Sequence, residues 1–280
     1  FPKGSTLNTF MVTDASNNTA TCSFSVTVTD AQNPTITCPA NITKNTDPTA
    51  CTAVTTYSVS FGDNCTGSTL AQTAGLASGA AFPKGATLNT YKVTDAVGNT
   101  AVCSFSVTVN DTENPAISCP APISVNAATG VCTQTVSYTT PAGTDNCAGQ
   151  TTAQTTGLAS GTTYPLGTTL NTYKVTDASG NTAICSFSVT VIDNQNPVIV
   201  CPANISVSAA AGLCSQVVTY TVPVGTDNCS GQSTAQTAGI GSGATYPVGV
   251  TLNTFKVTDG SNNTASCSFS VTVTDNENPG

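Results

Sequence analysis

The stretch of sequence that decides the fold is VTDASGNTAICSFSVTV at residues 175–191. Its second half alternates cysteine, phenylalanine and valine with serine and threonine, a period of two that indicates a β-strand with one buried face. The residues before that strand, DASGN at 177–181, are typical of a tight turn. The stretch therefore predicts an antiparallel hairpin formed by residues 169–176 and 182–191.

The motif CSFSVTV at the end of this stretch occurs four times. Its cysteines are Cys22, Cys103, Cys185 and Cys267. The spacing of 81 or 82 residues indicates a repeat of small-domain size. We divide the chain into an incomplete repeat (residues 1–29), a first repeat (30–110), a second repeat (111–192) and a third repeat that includes the start of a further linker (193–280). We interpret the chain as a window on a longer row of repeats.

Each repeat contains short strands separated by turn signals, and no stretch has the 3.6-residue apolar period of a helix. In the second repeat we expect further strands at residues 116–119, 123–126, 133–138 and 150–156, and a turn at 164–167. This pattern predicts an all-β fold class, with tandem immunoglobulin-like β-sandwich domains in an extended array.

Composition excludes several functions. Only 7% of the residues are charged, the net charge is −8, and His, Trp and Arg are absent. The negative charge argues against binding to nucleic acid, and no apolar run approaches the roughly 18 residues needed to enter and cross a bilayer. Without histidine, a Cys–His pair or a close inward pair of carboxylates, the usual groups of acid–base and nucleophilic catalysis are missing, so we expect no enzyme.

Each full repeat carries four cysteines, separated by 13, 14–15 and 38 residues. Zinc sites use tighter pairs, so the pattern favours disulfides and an oxidising location outside the cytoplasm. The first and fourth cysteines face inward at equal depth in an immunoglobulin-like sandwich, which predicts Cys38–Cys103, Cys119–Cys185 and Cys201–Cys267. The remaining cysteines then give Cys51–Cys65, Cys132–Cys147 and Cys214–Cys229, while Cys22 needs a partner outside the chain.

Several separated motifs recur in the same order in the full repeats. They include NPTITCPANIT at residues 33–43, TDNC at 144–147 and 226–229, YPLGTT at 164–169, and the hairpin stretch quoted first. In these motifs every full repeat resembles the HYR (hyalin repeat) domain. The resemblance implies immunoglobulin-like extracellular modules used in adhesion, secreted or at the cell surface. It also implies the pairing of the outer two cysteines, because family members without the middle two retain them.

The four-cysteine form of the repeat further resembles tandem arrays in giant cell-surface adhesins of Bacteroidetes, including gliding-motility adhesins of the SprB type. One feature departs from the relatives. Asn89, Asn171 and Asn253 occupy a position where relatives tend to carry an inward valine.

Every acidic residue except Asp47 falls in the linker, the TDNC loop or the hairpin turn of a repeat. The proposed topology brings these three places together at the junctions between repeats, where clustered oxygens would suit Ca²⁺. The candidate ligands are Asp30, Asp63, Asp95, Asp111, Glu113, Asp145, Asp177, Asp193, Asp227 and Asp259. The alternative is turn chemistry alone, because Asp accepts backbone hydrogen bonds in turns; the chain would then have no cofactor.

Two functions fit these observations. The first is a structural stalk or spacer in an extracellular adhesin or surface filament, whose partners are further repeats of the same chain or neighbouring copies. The second is a module that binds a glycan or another surface directly through loops that carry Phe82, Tyr164 and Tyr246, since an aromatic ring beside hydroxyl groups can stack on a sugar. These three aromatics have a simpler alternative role as core residues at strand ends.

Overall fold

The computed structural model describes residues 1–278, so the last two residues of the predicted segment 193–280 lie outside the described residues. Within residues 1–278 every regular element is a β-strand. The incomplete repeat forms a hairpin of two strands, β1 (Gly4–Thr13) and β2 (Thr19–Val28). The first repeat contains β3 (Thr35–Thr37), β4 (Ile42–Asn45), β5 (Thr52–Val54), β6 (Ser60–Gly62), β7 (Thr69–Ala74), β8 (Ala81–Pro83), β9 (Gly85–Thr94) and β10 (Thr100–Asn110).

The second and third repeats have the same order of elements as the first. The second repeat contains β11 (Ile123–Asn126), β12 (Thr133–Val136), β13 (Thr151–Thr156), β14 (Thr162–Pro165), β15 (Gly167–Thr176) and β16 (Thr182–Ile192). The third contains β17 (Ile205–Ser208), β18 (Ser215–Val218), β19 (Ser233–Ala238), β20 (Ala244–Pro247), β21 (Gly249–Thr258) and β22 (Thr264–Thr274). In both repeats the pair equivalent to β3 and β6 is reduced to a single bridge, Ala116 with Thr144 and Val198 with Thr226.

Each full repeat is built on one four-stranded sheet, in the order β4-β10-β9-β7, β11-β16-β15-β13 or β17-β22-β21-β19. The short strand at its edge runs parallel to the last strand of the repeat, whereas the predicted hairpin pair is antiparallel. Shorter strand pairs, such as β5-β8 and β18-β20, form the opposite layer. The all-β class and the tandem immunoglobulin-like sandwich repeats are therefore confirmed.

The turn predicted at residues 164–167 is only partly correct. Tyr164 and Pro165 end strand β14, which pairs with β12 so that Tyr164 lies opposite Gln134. Proline is tolerated there because β12 and β14 form a two-stranded sheet, so that β14 is an edge strand. The strand predicted at residues 116–119 is likewise reduced to the bridge at Ala116.

The chain forms two compact units that do not follow the repeat boundaries. Unit 1 comprises Phe1–Ala116, Thr144–Thr151 and Thr176–Thr182, and unit 2 comprises Ile117–Gly143, Thr152–Val175 and the residues from Ala183 onward. The TDNC loop and the hairpin turn of the second repeat thus belong to the unit that contains the first repeat. The boundaries after residues 29, 110 and 192 stay a prediction from the sequence.

The core of each full repeat lies on the face that the alternation predicts. In unit 2, Phe269, Val271 and Val273 of β22 are at most 2% exposed and pack with Tyr246 and Phe255. Phe105, Val107 and Val109 of β10 form the equivalent core in unit 1. Burial of these side chains contributes about 1.5–3 kcal/mol for each large apolar residue.

Three disulfides cross these cores, and we call them the inner bridges. They are Cys38–Cys103, Cys119–Cys185 and Cys201–Cys267, with Cα–Cα distances of 5.8, 5.6 and 5.6 Å. The prediction for these pairs is confirmed by the bonds themselves. In the second and third repeats both cysteines of the bridge pack against the buried cluster of their own repeat.

Candidate functional site

The linker after each repeat is tied to a turn of the repeat that it leaves. In unit 1, Glu113 accepts a hydrogen bond from the backbone N–H of Thr49 at 3.0 Å. In unit 2, Gln195 accepts one from Gly130 at 2.9 Å. Glu113 is therefore occupied with the turn at residues 46–51. The structure does not place it among the clustered carboxylates, as a cation ligand would require.

The hairpin aspartates are satisfied within their own turns. Oδ1 of Asp177 accepts hydrogen bonds from the backbone N–H groups of Ser179 and Asn181, both at 2.8 Å, and Oδ2 accepts one from Nδ2 of Asn181 at 2.8 Å. Asp95 and Asp259 make the same set of bonds. These three residues are not in the carboxylate clusters. For them turn chemistry is the better explanation, and the expectation that they line a cation site is not supported.

The hydrogen bonds of these turns also set their pKa values. Burial raises the pKa of Asp177, but the hydrogen bonds from Asn181 and from backbone N–H groups lower it by more, so that its pKa lies below the usual value of an aspartate. The pKa of Asp95 is lowered in the same way, against the effect of burial. The asparagine that ends each turn also reaches the linker before its own repeat, since Asn181 Nδ2 donates to the carbonyl of Asp111 at 3.3 Å.

The loop aspartates and the linker aspartates come together in pairs. In each pair the carboxylates lie with a cysteine sulfur in a group whose ligand atoms are all within 4.8 Å of one another. The groups are Asp30, Asp63 and Cys65; Asp111, Asp145 and Cys147; and Asp193, Asp227 and Cys229. These six aspartates are the part of the predicted Ca²⁺ ligand set that the structure brings together.

A lysine neutralises the linker aspartate at two of these three groups. Nζ of Lys84 lies 3.5 Å from Oδ2 of Asp111, whose side chain is fully buried, and Lys3 lies 3.5 Å from Asp30. Ser179 also donates to Oδ2 of Asp111 at 3.1 Å. The third group, around Asp193, has Leu166 at the position of Lys84, because FPKG at residues 82–85 corresponds to YPLG at 164–167.

Two further disulfides join successive repeats, and we call them the cross-repeat bridges. In unit 1, Cys51 of the first repeat is bonded to Cys147 of the second, with a Cα–Cα distance of 4.8 Å. In unit 2, Cys132 of the second repeat is bonded to Cys229 of the third, at 5.1 Å. The predicted pairs Cys51–Cys65, Cys132–Cys147 and Cys214–Cys229 are therefore wrong.

The pairing within one repeat fails because its two middle cysteines lie at opposite ends. Cys51 closes a turn held by the end of the last strand, where Thr46 N–H donates to the carbonyl of Asn110 at 2.9 Å. Cys65 instead lies beside Asp30, where the chain enters the repeat. Each middle cysteine is thus presented to a neighbouring repeat, and a bridge within the repeat would have to span its whole length.

Among residues 1–278 the free cysteines are Cys22, Cys65 and Cys214. Cys65 occupies the position of Cys147 and Cys229, and Cys214 that of Cys51 and Cys132. A hydrogen bond to Asp30 raises the pKa of the Cys65 thiol and lowers the pKa of Asp30.

The aromatics proposed to bind a ligand are core residues. Phe82, Tyr164 and Tyr246 are all 0% exposed. The hydroxyl of Tyr164 donates to the carbonyl of Leu158 inside the repeat. None of the three rings can stack on a sugar, so the expectation of a ligand-binding role for them is wrong.

The departure at Asn171 is a buried polar contact that the sequence analysis left unexplained. Oδ1 of Asn171 accepts the backbone N–H of Leu158 at 2.8 Å and Nε2 of Gln154 at 3.1 Å. Gly157 has φ of +89°, and a Cβ there would lie 2.1 Å from Oδ1 of Asn171. Asn89 and Asn253 repeat the arrangement. Asparagine thus replaces an apolar residue because it completes a strand-end turn, and the recurring Gly–Asn pair is the sequence signal for it.

The three full repeats match a known domain family. The HYR domain matches residues 29–109, 110–191 and 192–273. Hyalin of Strongylocentrotus purpuratus is 35% identical over 286 aligned positions, covering 98% of this chain and 24% of that protein. Hyalin of Lytechinus variegatus is 29% identical, and the alignment covers 99% of this chain and 54% of that protein. The chain therefore spans about a quarter to about half of these relatives' length. A solved protocadherin gammaB4 extracellular domain is 14% identical, covering 97% of this chain and 56% of that one, with a TM-score of 0.39.

Across residues 1–278 the structure has no helix with the length and apolar character needed to cross a membrane.

Proposed function

The chain belongs to the HYR domain family. We propose that it is a structural spacer of an extracellular adhesin or surface filament, in which two covalent connections join each repeat to the next. The peptide linker makes one connection and a cross-repeat bridge makes the other. The observation that carries this proposal is the pair of bridges Cys51–Cys147 and Cys132–Cys229. A second covalent connection beside a short linker limits bending and twisting between neighbours, which is what a spacer requires.

Hydrogen bonds beside each bridge support the same function. In unit 1, Nδ2 of Asn146 donates to the carbonyl of Ala50 at 3.0 Å, directly next to Cys51 and Cys147. In unit 2, Nδ2 of Asn228 donates to the carbonyl of Val131 at 3.1 Å. The TDNC loop is therefore bound to the turn of the preceding repeat by a hydrogen bond from its asparagine and by a disulfide from its cysteine. The five disulfides within the described part of the chain also favour an oxidising, extracellular location.

The free cysteines suggest the partners of this chain. Cys65 is equivalent to the cysteines that receive a bridge from the preceding repeat, and Cys214 to those that give one to the following repeat. We expect Cys65 and Cys214 to bond to the corresponding cysteines of further repeats, in the same chain or in a neighbouring copy. A gliding-motility adhesin of Bacteroidetes is a narrower prediction within this proposal, and so is the absence of enzymatic activity.

The connectivity is tested by cutting the linker between the first and second repeats. A specific protease site is inserted after Thr112, free thiols are blocked with N-ethylmaleimide, and the cleaved chain is run on a denaturing gel. Of the disulfides within residues 1–278, only Cys51–Cys147 spans the cut, so the two fragments should stay joined without reductant and separate with it. The control is the double variant Cys51→Ser and Cys147→Ser, whose fragments should separate in both lanes. Separation of the fragments without reductant in the unsubstituted cysteine background would refute the cross-repeat pairing.

The spacer function is tested by the distance between the second and third repeats, within unit 2, in single molecules. Dyes are attached through unnatural amino acids at the exposed positions Leu170 and Leu252, and the distance distribution is measured by energy transfer. We expect a narrow distribution for the oxidised chain and a broader one for the double variant Cys132→Ser and Cys229→Ser. Equal widths would show that the bridges do not restrict the repeats, and the spacer proposal would fail.

A further inference from the structure

The first and last strands of the third repeat run parallel, and the inner bridge has the same register as their pairing. Ile205 of β17 lies opposite Val271 of β22, and the pairing continues as far as Thr274. The offset within these pairs, 271 against 205, equals the sequence separation of 66 between Cys201 and Cys267. The bridge therefore joins the same two segments of the chain, just before their parallel ladder begins.

The other two full repeats place their inner bridges in the same way. In the first repeat Val107 lies opposite Ile42, an offset of 65 that equals the sequence separation of the bridge. In the second repeat Val189 lies opposite Ile123, and both values are 66. A bridge that only closed a long loop would not need this register. Its recurrence ties the segment by which the chain enters each repeat to the segment by which it leaves.

This placement determines which bonds carry a pull on the two ends of the chain. Such a pull acts on the entry segment from its N-terminal side and on the exit segment from its C-terminal side. In the third repeat it reaches Cys201 before β17, so it crosses the covalent bond to Cys267 and leaves along the end of β22. Without the bridge, the pull would be held by the parallel ladder of four residue pairs, whose hydrogen bonds each contribute little net stability.

We propose that the chain bears tension, and that the inner bridges carry the load past each sandwich so that the sandwich stays folded. Cys38–Cys103 encloses residues 39–102, and only residues 104–118 separate it from the next inner bridge. At about 3.5 Å per residue this segment spans about 55 Å when fully extended, which limits how far the chain lengthens between two bridges.

The load takes this route whether or not the cross-repeat bridges are present. The covalent route through Cys51–Cys147 is longer than the linker, because it adds residues 39–50 and 120–146. The extended chain is therefore held first by the segment between two inner bridges. Resistance to tension is thus separate from the spacer function, which depends on the cross-repeat bridges.

Single-molecule pulling of the oxidised chain tests this function. Handles are attached through unnatural amino acids at the exposed positions Thr29 and Asn276, so that the β1-β2 hairpin lies outside the loaded segment. The starting protein lacks both cross-repeat bridges and keeps the inner ones (Cys51→Ser, Cys132→Ser, Cys147→Ser, Cys229→Ser). We expect no step in length above about 55 Å.

The matched variant adds Cys119→Ala and Cys185→Ala to the same protein. Its second repeat should unfold in one step of about 230 Å, because a sequence separation of 66 residues is released at about 3.5 Å each. Steps of this size in the protein that keeps all three inner bridges would overturn the proposal.

A second measurement needs no removal of an inner bridge. The protein without cross-repeat bridges is held at constant force while a soluble thiol is added. The thiolate attacks one sulfur of a bridge and forms a mixed disulfide, while the other sulfur leaves as a thiolate. Each reduction releases a loop and lengthens the chain by about 230 Å.

The rate of these lengthening events should rise with the applied force, because a disulfide that bears the pull is stretched toward the state in which it breaks. A rate that does not change with force would also overturn the proposal. Equal distance distributions in the energy-transfer experiment would instead contradict the spacer function alone, so the two failures are distinguishable.

Discussion

Two disulfides of unit 2, Cys119–Cys185 and Cys132–Cys229, have the same chemistry in different surroundings. Cys119 and Cys185 pack against the buried cluster of the second repeat, and their bridge closes one sandwich. Cys132 lies in a turn of the second repeat and Cys229 in the TDNC loop of the third. The difference teaches that stability within a repeat and geometry between repeats are controlled by separate bonds.

Removal of an inner bridge should have the largest effect. The double variant Cys119→Ala and Cys185→Ala releases a loop closed over a sequence separation of 66 residues, which lowers the free energy of unfolding of the second repeat by about 4 kcal/mol in the chain-entropy model. Urea unfolding without reductant measures the loss. The third repeat keeps Cys201–Cys267 and serves as the internal control. A loss below about 1 kcal/mol would remove the distinction between the two kinds of bridge.

Removal of a cross-repeat bridge should cost less and act differently. The double variant Cys132→Ser and Cys229→Ser leaves both inner bridges of unit 2 in place, and these already restrict the unfolded chain. We expect a loss of about 2 kcal/mol, together with the separation of one joint transition into two, as the second and third repeats cease to unfold together. Calorimetry distinguishes one transition from two. A single unchanged transition would show that the repeats are coupled by something other than this disulfide.

The buried asparagine tests whether the core of the second repeat responds independently of both bridges. Asn171→Ala leaves the backbone N–H of Leu158 without its acceptor, which should cost about 1–2 kcal/mol. The adjacent Leu170 is 57% exposed on the opposite face of β15, so Leu170→Ala should change stability by less than about 0.5 kcal/mol. Chemical unfolding of both variants gives the comparison. Equal losses would mean that the Asn171 contact contributes nothing beyond side-chain area.

Acid should act at the junctions more than in the cores, with the smallest effect of the four. The folded pKa of Asp177 lies below the usual value of an aspartate, so its carboxylate stabilises the folded chain fully above that usual value, and the contribution is lost as the pH falls through the folded pKa. Stability measured by urea from pH 6 to pH 2 should therefore decline at the acid end. Asp177→Asn should flatten the decline. An identical acid decline in this variant would assign it to other carboxylates.

The hairpin and the inner bridges could be predicted because both depend on local information. The alternation around Cys185 gives the buried face, and residues 182–191 were expected where β16 runs from Thr182 to Ile192. The depth of Cys119 below the end of the sandwich then identifies its partner. These inferences require only the period of a strand and the positions of two turns.

The cross-repeat bridges and the composition of the junction could not be predicted in the same way. The sequence separation of 14 between Cys51 and Cys65 suggests a local bridge, but this spacing does not reveal that the chain crosses the repeat between the two cysteines. Lys84 reaches Asp111 because its backbone N–H is bonded to the carbonyl of Cys51, and no sequence motif predicts this hydrogen bond. The self-satisfied turn at Asp177 was in contrast foreseeable, since Asp followed by Gly and Asn is typical of such turns.

The offset pairing of the middle cysteines has a consequence for how such a protein changes length over generations. Each cross-repeat bridge uses the second cysteine of one unit and the third cysteine of the next, with sequence separations of 96 and 97 residues. After duplication or loss of a whole repeat by recombination, the second cysteine of each interior repeat still faces the third cysteine of the repeat that follows it. The reach of the molecule can therefore vary in steps of about one domain without a redesign of its oxidative folding.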